Sequence, residues 1–381
     1  MEIQQHKFDL DPNVAYLNGA YMSPLLKNVI EVGQAEVLRK ARPYEITIEQ
    51  FFQPVEDLKK AFAQLINAAD FNRIALTPST SYGIANAANN TPIQKGDQLI
   101  LLGEQFPSNY YSWKRVAQEK GATIKIIDAP DSLNRGQAWN QKILEAINDQ
   151  TAAVAIGHVH WADGTKFNLE AIRKKTRQHH AHLIIDGTQS VGAMDFDVAK
   201  IQPDALICGV YKWLMGPYGL GLAYYSPSFD GGTPIEDNWI NRKNSEDFKN
   251  LVNYQDDYKP MAFRYSTGES SNFIHVQMAL AALNQLNEWQ PTQIQNYCKD
   301  LIDPYLPTLK NLGCIIEAEP FRSNHLFGIR LSKGMDADKL KANFEKHRVI
   351  VSHRGSAIRV SPNVYNSAVD MEKLVACFEA C

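Results

Sequence analysis

Lys212 is the first residue whose type and surroundings point to chemistry. It lies in the stretch GVYKWLMGPYGLG, between two aromatic residues and just ahead of a glycine-proline turn. An apolar setting disfavours the charged ammonium and lowers its pKa, which makes a lysine amine nucleophilic toward carbonyl compounds. The alternative is a lysine whose stem packs on apolar surface while its amine stays in water. This stretch alone leaves both open.

A carboxylate follows a second apolar run. Asp186 ends the run HLIID, and the run DALICGV ends near Tyr211 and Lys212. If the two runs are adjacent strands of a parallel sheet, their carboxyl ends meet at one edge, where such sheets bind ligands. The pattern therefore predicts an acid and an amine on opposite sides of one pocket.

Two further strand ends carry groups that suit a ligand. Ser79, Thr80 and Ser81 precede Gly83 at an expected helix start, where free amides and the helix dipole favour a phosphate. Their alternative role is ordinary helix capping. Phe106 follows another run and could lie flat on a heteroaromatic ligand, or it could anchor the next helix in the core.

The elements that must position these residues form an alternating pattern. Between about residues 70 and 226, short β-branched or apolar runs alternate with helical stretches, which is typical of a mostly parallel sheet covered on both faces. The runs are RIALT (73–77), DQLILLG (97–103), ATIKIID (122–128), AAVAIGHVH (152–160), HLIID (182–186), DALICGV (204–210) and LGLAYYS (220–226). They predict an α/β fold with a seven-stranded sheet.

A different pattern follows the polar segment that begins near residue 230. Helical periodicity covers 272–286 and 291–312, with a break expected near Pro304 and Pro307. The remaining order of two strands, a helix, two strands and a helix predicts a smaller α+β domain. The predicted domains are 16–262 for the large one, and 1–15 with 263–381 for the small one.

Composition excludes several classes of function. The chain has 381 residues, 44% of them apolar, and a net charge of −3, so no basic field is available for nucleic acid. Its N-terminus is polar and acidic, and no apolar run reaches the ~20 residues of a membrane helix. Five cysteines without CxxC spacing favour free thiols. We expect a cytoplasmic protein without membrane or nucleic-acid partners.

An amine, a carboxylate, a phosphate site and a stacking ring are the four things that pyridoxal 5'-phosphate (PLP) needs. The block from IIDGTQSVGAMDF to GVYKWLMGPYGLGLAYYS (184–226) resembles the PLP signature of the class V aminotransferase family, which includes cysteine desulfurases, kynureninases and isopenicillin-N epimerase-like proteins. YLNGAYMSP, STSYGIANAA, EQFPSNYYSW and SHRGSAIRVSPNVYNS extend the resemblance over nearly the whole chain. It implies the fold-type I PLP-dependent transferase fold.

The resemblance also implies a role for each matching residue. Lys212 matches the Schiff-base lysine and catalytic base, and Arg359 matches the arginine that holds the substrate carboxylate, next to Asn18 and Gly19 on the substrate side. The remaining matches are to cofactor contacts: Asp186 at the pyridine nitrogen, Gln189 at the phenolic oxygen or phosphate, Phe106 on the ring, and Ser79, Thr80, Ser81 and Tyr211 around the phosphate.

Three departures from the family pattern matter. Desulfurases carry a persulfide-accepting cysteine in the loop before the position of Arg359, but here that loop reads GSAI, which disfavours desulfurase activity. Trp161 stands where many members have an asparagine near the cofactor oxygen. In dimeric members a residue near RYSTGESSN reaches the partner subunit's cofactor phosphate, and the sequence does not choose among 267–272.

The family resemblance implies an enzyme acting on an amino acid through an external aldimine and a Cα carbanion, as a homodimer with active sites near the subunit interface. We expect aminotransferase- or epimerase-like activity, with kynureninase-like or C–S lyase activity as the alternative. A different class, a metal-dependent hydrolase using His158, His160 and Asp186, is disfavoured because HxH is common by chance. Loss of catalysis is also disfavoured, because Lys212 is intact.

Overall fold

The computed structural model describes residues 1–355 and 357–381. The strands are β1 (Ala15–Tyr16), β2 (Ile74–Thr77), β3 (Gln98–Leu102), β4 (Thr123–Ile127), β5 (Thr151–Gly157), β6 (His182–Asp186), β7 (Ala205–Gly209), β8 (Gly221–Tyr225), β9 (Ile315–Ile316), β10 (Phe327–Arg330), β11 (Val349–Ile350), β12 (Ser352–Arg354) and β13 (Ala357–Val360).

The helices alternate with these strands. They are α1 (Lys27–Lys40), α2 (Gln53–Leu65), α3 (Thr80–Asn90), α4 (Ser108–Lys120), α5 (Arg135–Ala146), α6 (Leu169–Gln178), α7 (Val198–Ile201), α8 (Phe273–Trp289), α9 (Pro291–Ile302), α10 (Leu306–Asn311), α11 (Ala337–Lys346) and α12 (Ala368–Glu379). Short 3-10 helices occupy Gln5–Lys7, Pro43–Glu45, Glu49–Phe51, Phe71–Arg73, Pro227–Phe229, Phe248–Asn250, Met261–Tyr265 and Asp303–Tyr305.

The large sheet has seven strands in the order β2-β8-β7-β6-β5-β3-β4. All pairs are parallel except the two made by β8, which runs antiparallel to β2 and to β7. The α/β fold with a mostly parallel seven-stranded sheet is therefore confirmed. β6 and β7 are direct neighbours, so their carboxyl ends, which carry Asp186 and lead to Lys212, lie at the same edge.

Hydrophobic cores cover both faces of this sheet, because its strands are apolar on both sides. One core joins strand residues such as Ile185 and Leu206 to Trp139 and Trp213, and the other joins Ile184 and Ile207 to Trp113. Burial on both faces explains why the strand sequences are nearly continuous apolar runs. The polar residues follow the strands at their carboxyl ends, where the candidate site lies.

A second, antiparallel sheet has the order β12-β13-β10-β9, and the parallel pair of β1 and β11 lies next to it. Its core contains Phe327, Ile358 and Phe378 together with Leu17 from the N-terminal segment. The expected helix break occurs: α9 ends at Ile302, and a 3-10 turn precedes α10. Helix α8 packs in the core of the large sheet. The domain bounds given above remain a proposal.

Two simpler expectations can be checked against the described residues. All five cysteines are free thiols, as predicted. No helix within residues 1–355 and 357–381 is long and apolar enough to cross a membrane.

Candidate active site

A cavity of about 220 Å3 lies at the carboxyl ends of β5, β6 and β7. Helix α3 and the loop after β3 form its other walls. All of the residues predicted to bind the cofactor line it: Ser79, Thr80, Ser81, Phe106, Asp186, Gln189, Tyr211 and Lys212. These residues were predicted to lie at the ends of separate strands, and some are more than 130 residues apart in the chain. The fold brings them together around one cavity.

Lys212 is only 6% exposed, which excludes the alternative of an amine that stays in water. Burial lowers the pKa of its ammonium to about 8, and Arg359 and Arg354 act in the same direction while Asp186 opposes them. Its Nζ lies 5.4 Å from the centre of the Phe106 ring and 5.5 Å from that of Tyr211. The uncharged, nucleophilic amine is therefore far more abundant at neutral pH than in an ordinary lysine.

Asp186 is held by a residue that the sequence analysis missed. The backbone amide of Thr188 donates to Asp186 Oδ1 at 3.0 Å, and the Thr188 hydroxyl accepts from the amide of Gly209 at 3.1 Å. Burial raises the pKa of Asp186, whereas hydrogen bonds from Thr188 and the charge of Lys212 lower it. The contact from the Thr188 amide is an Asx turn, and the sequence indicates such a turn only through the aspartate, because almost any residue can supply the amide.

The start of helix α3 forms one end of the cavity. Ser79 caps the helix, since its Oγ accepts from the amide of Tyr82 at 3.2 Å, and it contacts Ser81 Oγ at 2.9 Å. Ser79 therefore has the helix-capping role that the sequence left open for it. Thr80 Oγ1 lies 3.2 Å from the hydroxyl of Thr188. The amides of Thr80 and Ser81 begin the helix, where no preceding turn supplies acceptors, so this end favours an anion.

Gly209 leaves room at the end of the cavity next to the start of α3. A Cβ built at this position would lie 3.0 Å from Thr80 Oγ1, 3.3 Å from the Tyr211 ring and 3.4 Å from Thr188. Any side chain here would intrude between the helix start and the end of β7. Glycine keeps open the space in which an anionic group can reach the amides of α3.

Phe106 and Trp161 form an aromatic wall. Their rings meet edge to face with centres 5.5 Å apart, and Trp161 Nε1 donates to the carbonyl of Glu104 at 2.7 Å. Phe106 is 36% exposed, so one face of its ring is free rather than packed into the core. This N–H is the only hydrogen-bond donor of the Trp161 side chain. Because it is already bonded within the protein, the side chain has no polar group free for a ligand.

Tyr211 and Gln189 also line the cavity. Tyr211 packs on Tyr218 with ring centres 4.6 Å apart, and burial raises the pKa of its phenol to about 12. Gln189 Nε2 donates to the carbonyl of Ala20 at 3.1 Å, and its Oε1 accepts from Trp213 Nε1 at 2.9 Å. One N–H of Gln189 remains for a ligand.

The residues predicted on the substrate side, Asn18, Gly19 and Arg359, lie next to the cavity and do not line it. Arg359 is 2% exposed; its Nη1 donates to the carbonyl of Trp161 at 2.8 Å. Within residues 1–355 and 357–381 its Nε is buried without a partner, and burial and Arg354 lower the pKa of the guanidinium to about 10. Asn18 Oδ1 accepts from Ser352 Oγ at 2.8 Å. A buried guanidinium with free donors requires an anion.

The metal reading finds no support in the geometry. His158 packs edge to face on Phe196, and burial lowers the pKa of its imidazole to about 3. His160 is bonded through Nδ1 to Asp163 at 3.1 Å. Asp186 is occupied by Thr188, and within residues 1–355 and 357–381 no group of three or more His, Cys, Asp or Glu could hold a metal ion.

No cysteine lines the cavity among the described residues. Cys208 lies in β7, where burial raises the pKa of its thiol well above the ordinary range. Of the loop GSAI (355–358), Ser356 lies outside the described residues. The loop contains no cysteine in sequence, so the departure from the desulfurase pattern stands.

The donor set fits PLP in chemistry. An unpaired amine, a buried carboxylate, a helix N-terminus and an accessible aromatic face surround one cavity, and the orphaned Nε of Arg359 lies beside it. The amine suits the aldehyde of PLP, the carboxylate its pyridine nitrogen, the helix N-terminus its phosphate and the aromatic face its planar ring. The guanidinium suits the carboxylate of the substrate.

Comparisons with known proteins agree. The family model Aminotransferase class-V matches residues 15–374. A probable cysteine desulfurase of Pyrococcus abyssi is 30% identical over 60% of this chain and 59% of its own length. An uncharacterized aminotransferase, YcbU of Bacillus subtilis, is 24% identical over 86% of this chain and 84% of its own.

Solved structures share the fold. The cysteine desulfurase CsdA of Escherichia coli has a TM-score of 0.81 at 18% identity, over 98% of this chain and 96% of that one. The cystine C-S lyase C-DES, in complex with cysteine persulfide, has a TM-score of 0.84 at 18% identity, over 96% and 97%. The family match covers nearly the whole chain, and therefore this protein is an enzyme of the class V aminotransferase family, whose cofactor is pyridoxal 5'-phosphate.

Proposed function

We propose that the protein is an aminotransferase that acts on an α-amino acid, with Lys212 removing and returning the proton at Cα. The observation that carries this proposal is the pairing of Lys212 with Phe106 across one cavity. Phe106 has no exchangeable proton, so the aromatic wall cannot exchange a proton with the substrate. A single base on one face suits a proton shift of the kind transamination needs. Epimerisation requires a proton from the opposite face.

Tyr211 and Asp186 are less suited to this role. The pKa of Tyr211 is raised to about 12, and Asp186 is held by Thr188. Lys212, with a pKa lowered to about 8, is poised for proton exchange near neutral pH. When bound, PLP supplies electron withdrawal from the substrate Cα. Lys212 would hold its aldehyde covalently, Asp186 its pyridine nitrogen, and the start of α3 its phosphate.

Arg359 would orient the substrate. Its guanidinium is fixed by the carbonyl of Trp161, so its remaining N–H groups can form the two-pronged contact that a carboxylate prefers. Asn18 lies 3.5 Å from Nη2 and steadies the same group. Fixing the carboxylate sets which substituent of Cα points toward Lys212.

The proposal is tested by incubating the PLP-loaded enzyme with a panel of amino acids and an acceptor keto acid. Formation of the corresponding keto acid, with amino-group transfer, supports transamination. Inverted amino acid, or alanine released from kynurenine, would replace it with the epimerase or kynureninase alternative.

A C–S lyase is the second candidate, and the comparisons favour it because cysteine desulfurases and a cystine lyase share the family or the fold. Since GSAI contains no cysteine, a persulfide product would leave the enzyme instead of being passed to a protein thiol. Release of pyruvate and ammonia without an acceptor keto acid, together with sulfide from cysteine or cysteine persulfide from cystine, would identify this activity.

The pH dependence of cofactor attachment is a first prediction. Lys212 must be unprotonated to attack an aldehyde, and its pKa is lowered to about 8. The initial rate at which apoenzyme captures PLP covalently should therefore rise about tenfold per pH unit at acidic pH and level off near pH 8. A rate that still rises at pH 10 would mean an ordinary lysine. Lys212→Ala protein gives the zero-capture baseline.

A second prediction concerns substrate affinity. Arg359→Lys keeps the charge but loses the planar fork, and charged hydrogen bonds contribute about 1.5 to 3 kcal/mol. We expect KM for the preferred amino acid to rise about 10- to 100-fold with a smaller change in kcat. Arg348→Lys, at an exposed ion pair with Asp11, is the matched control. An unchanged KM for Arg359→Lys contradicts the carboxylate role.

We also propose a cytoplasmic homodimer with active sites near the subunit interface, in which one residue of 267–272 reaches the partner's phosphate. The free state of all five cysteines supports a reducing compartment. Light scattering of the purified protein gives the number of subunits. A monomer would contradict the proposed dimer.

A further inference from the structure

A second cavity lies apart from the active site and shares no lining residue with it. Its volume is about 240 Å3, and it is bounded by the start of α2, the 3-10 helix Met261–Tyr265 and the chain around residues 240–246. Three phenylalanines form much of its wall, together with two lysines and two glutamates: Phe51, Phe52, Phe263, Lys59, Lys259, Glu56 and Glu246.

Lys59 is unusual in this cavity because it is 1% exposed. Its Nζ lies 3.4 Å above the centre of the Phe263 ring. Glu56, an acidic residue on the same helix whose charge acts on Lys59, is bound instead by the exposed Lys60 at 2.5 Å. Burial, with a smaller effect from Lys259, lowers the pKa of the Lys59 ammonium to about 7.

The cavity has two lysines and two glutamates, but both glutamates are paired with lysines other than Lys59. Lys259 Nζ is paired with Glu246 at 2.8 Å and also lies 4.5 Å from the centre of the Phe52 ring. The carboxylate of Glu246 is therefore already paired with Lys259. Within the described residues, Lys59 forms no salt bridge. A buried ammonium facing aromatic rings without a counter-ion is costly, so the cavity is electrostatically prepared for one negative charge.

We propose that this cavity binds a small carboxylate with a flat apolar body, of the benzoate type, whose carboxylate pairs with Lys59. The three phenylalanine rings would pack against the body, and the second lysine disfavours cationic ligands. Inorganic phosphate matches the charge alone, because it has no apolar surface to bury. This proposal does not rest on the transaminase reaction, although Ser270, from the segment 267–272 proposed to face the partner subunit, also lines the cavity.

The probe is benzoate, titrated into PLP-loaded enzyme and followed by calorimetry together with the cofactor absorption spectrum. We expect saturable binding that leaves the cofactor spectrum unchanged. Lys59→Met, an apolar replacement of similar length, should weaken binding at least tenfold, whereas Lys200→Met, at an exposed lysine that pairs with Glu170 outside the cavity, should bind within about twofold of the parent. Benzyl alcohol, benzylammonium and phosphate should each bind at least tenfold more weakly than benzoate.

Proton uptake gives a readout that needs no variant. A bound carboxylate stabilises the ammonium of Lys59, so at pH 8 binding should take up protons, and affinity should fall as pH rises above about 7. The other charged groups facing Lys59 are Glu56 and Lys259, with Glu246 beyond it. Unchanged binding in Lys59→Met, equal binding of benzyl alcohol or phosphate, or benzoate affinity constant from pH 6 to 9 would each overturn the proposal. If Lys59→Met does not fold, the pH series decides.

Discussion

Lys212→Ala protein should lose covalent cofactor attachment and nearly all turnover. The amine of Lys212 is buried against Phe106 and Tyr211, and no other lysine lines the cavity among the described residues. Removing it deletes both the covalent anchor and the group proposed to move the Cα proton. Since positioned acid–base groups contribute about 10²- to 10⁴-fold, we expect kcat to fall at least about 10³-fold.

The measurement is borohydride reduction of PLP-loaded protein, followed by peptide mass mapping and a turnover assay. The parent should carry the reduced cofactor on Lys212, and the variant should carry none. Lys200→Ala, which removes an exposed lysine paired with Glu170, should match the parent in both assays. A variant that keeps a reducible visible band would place the anchor on another lysine.

Much of this site could be predicted because strand ends in a parallel sheet converge whatever the details of packing. Asp186 and Lys212 needed only the recognition of two apolar runs as neighbouring strands, and the pairing of β6 with β7 confirms that step. Phe106 and the start of α3 depended on the same rule, because β2, β3, β6 and β7 all contribute to one edge.

The parts that escaped prediction depend on side-chain direction. Thr188 is ordinary in sequence, yet it joins Asp186, Thr80 and Gly209 through three contacts. Gln189 sits at the expected place, but both polar ends of its amide bond to Ala20 and Trp213. Propensity and periodicity say which face a residue occupies, and they say nothing of which partner its hydrogen bonds reach.

Lys59 shows a second limit of the sequence. On an amphipathic helix, neighbouring lysines 59 and 60 look alike, and both could lie in water. Burial of one and exposure of the other is decided by Phe263, which comes from a segment about 200 residues later and covers the first amine. The unpaired charge that results is a tertiary property, visible only after folding.

Asp186→Ala should separate cofactor binding from catalysis. The start of α3 and Lys212 contact other ends of the cavity, so we expect the variant to bind some PLP covalently while kcat falls by about 10³-fold. The physical reason is charge: burial raises the pKa of Asp186, and its carboxylate is best stabilised by a protonated ring nitrogen opposite it. Without that carboxylate, the pyridine nitrogen of bound PLP would lack the partner that favours its protonated form, and the electron withdrawal that PLP supplies would weaken.

Asp186→Asn is the sharper variant, because an asparagine can still accept the 3.0 Å hydrogen bond from the Thr188 amide while it lacks the charge. If the charge is what matters, the asparagine and alanine variants should lose similar turnover, and both should keep a thermal midpoint near that of the parent. Asp149→Ala, at an exposed carboxylate, is the control and should lose nothing. Near-parental turnover in Asp186→Asn would show that Asp186 acts by hydrogen-bond geometry alone, and the role proposed here for its negative charge would then be wrong.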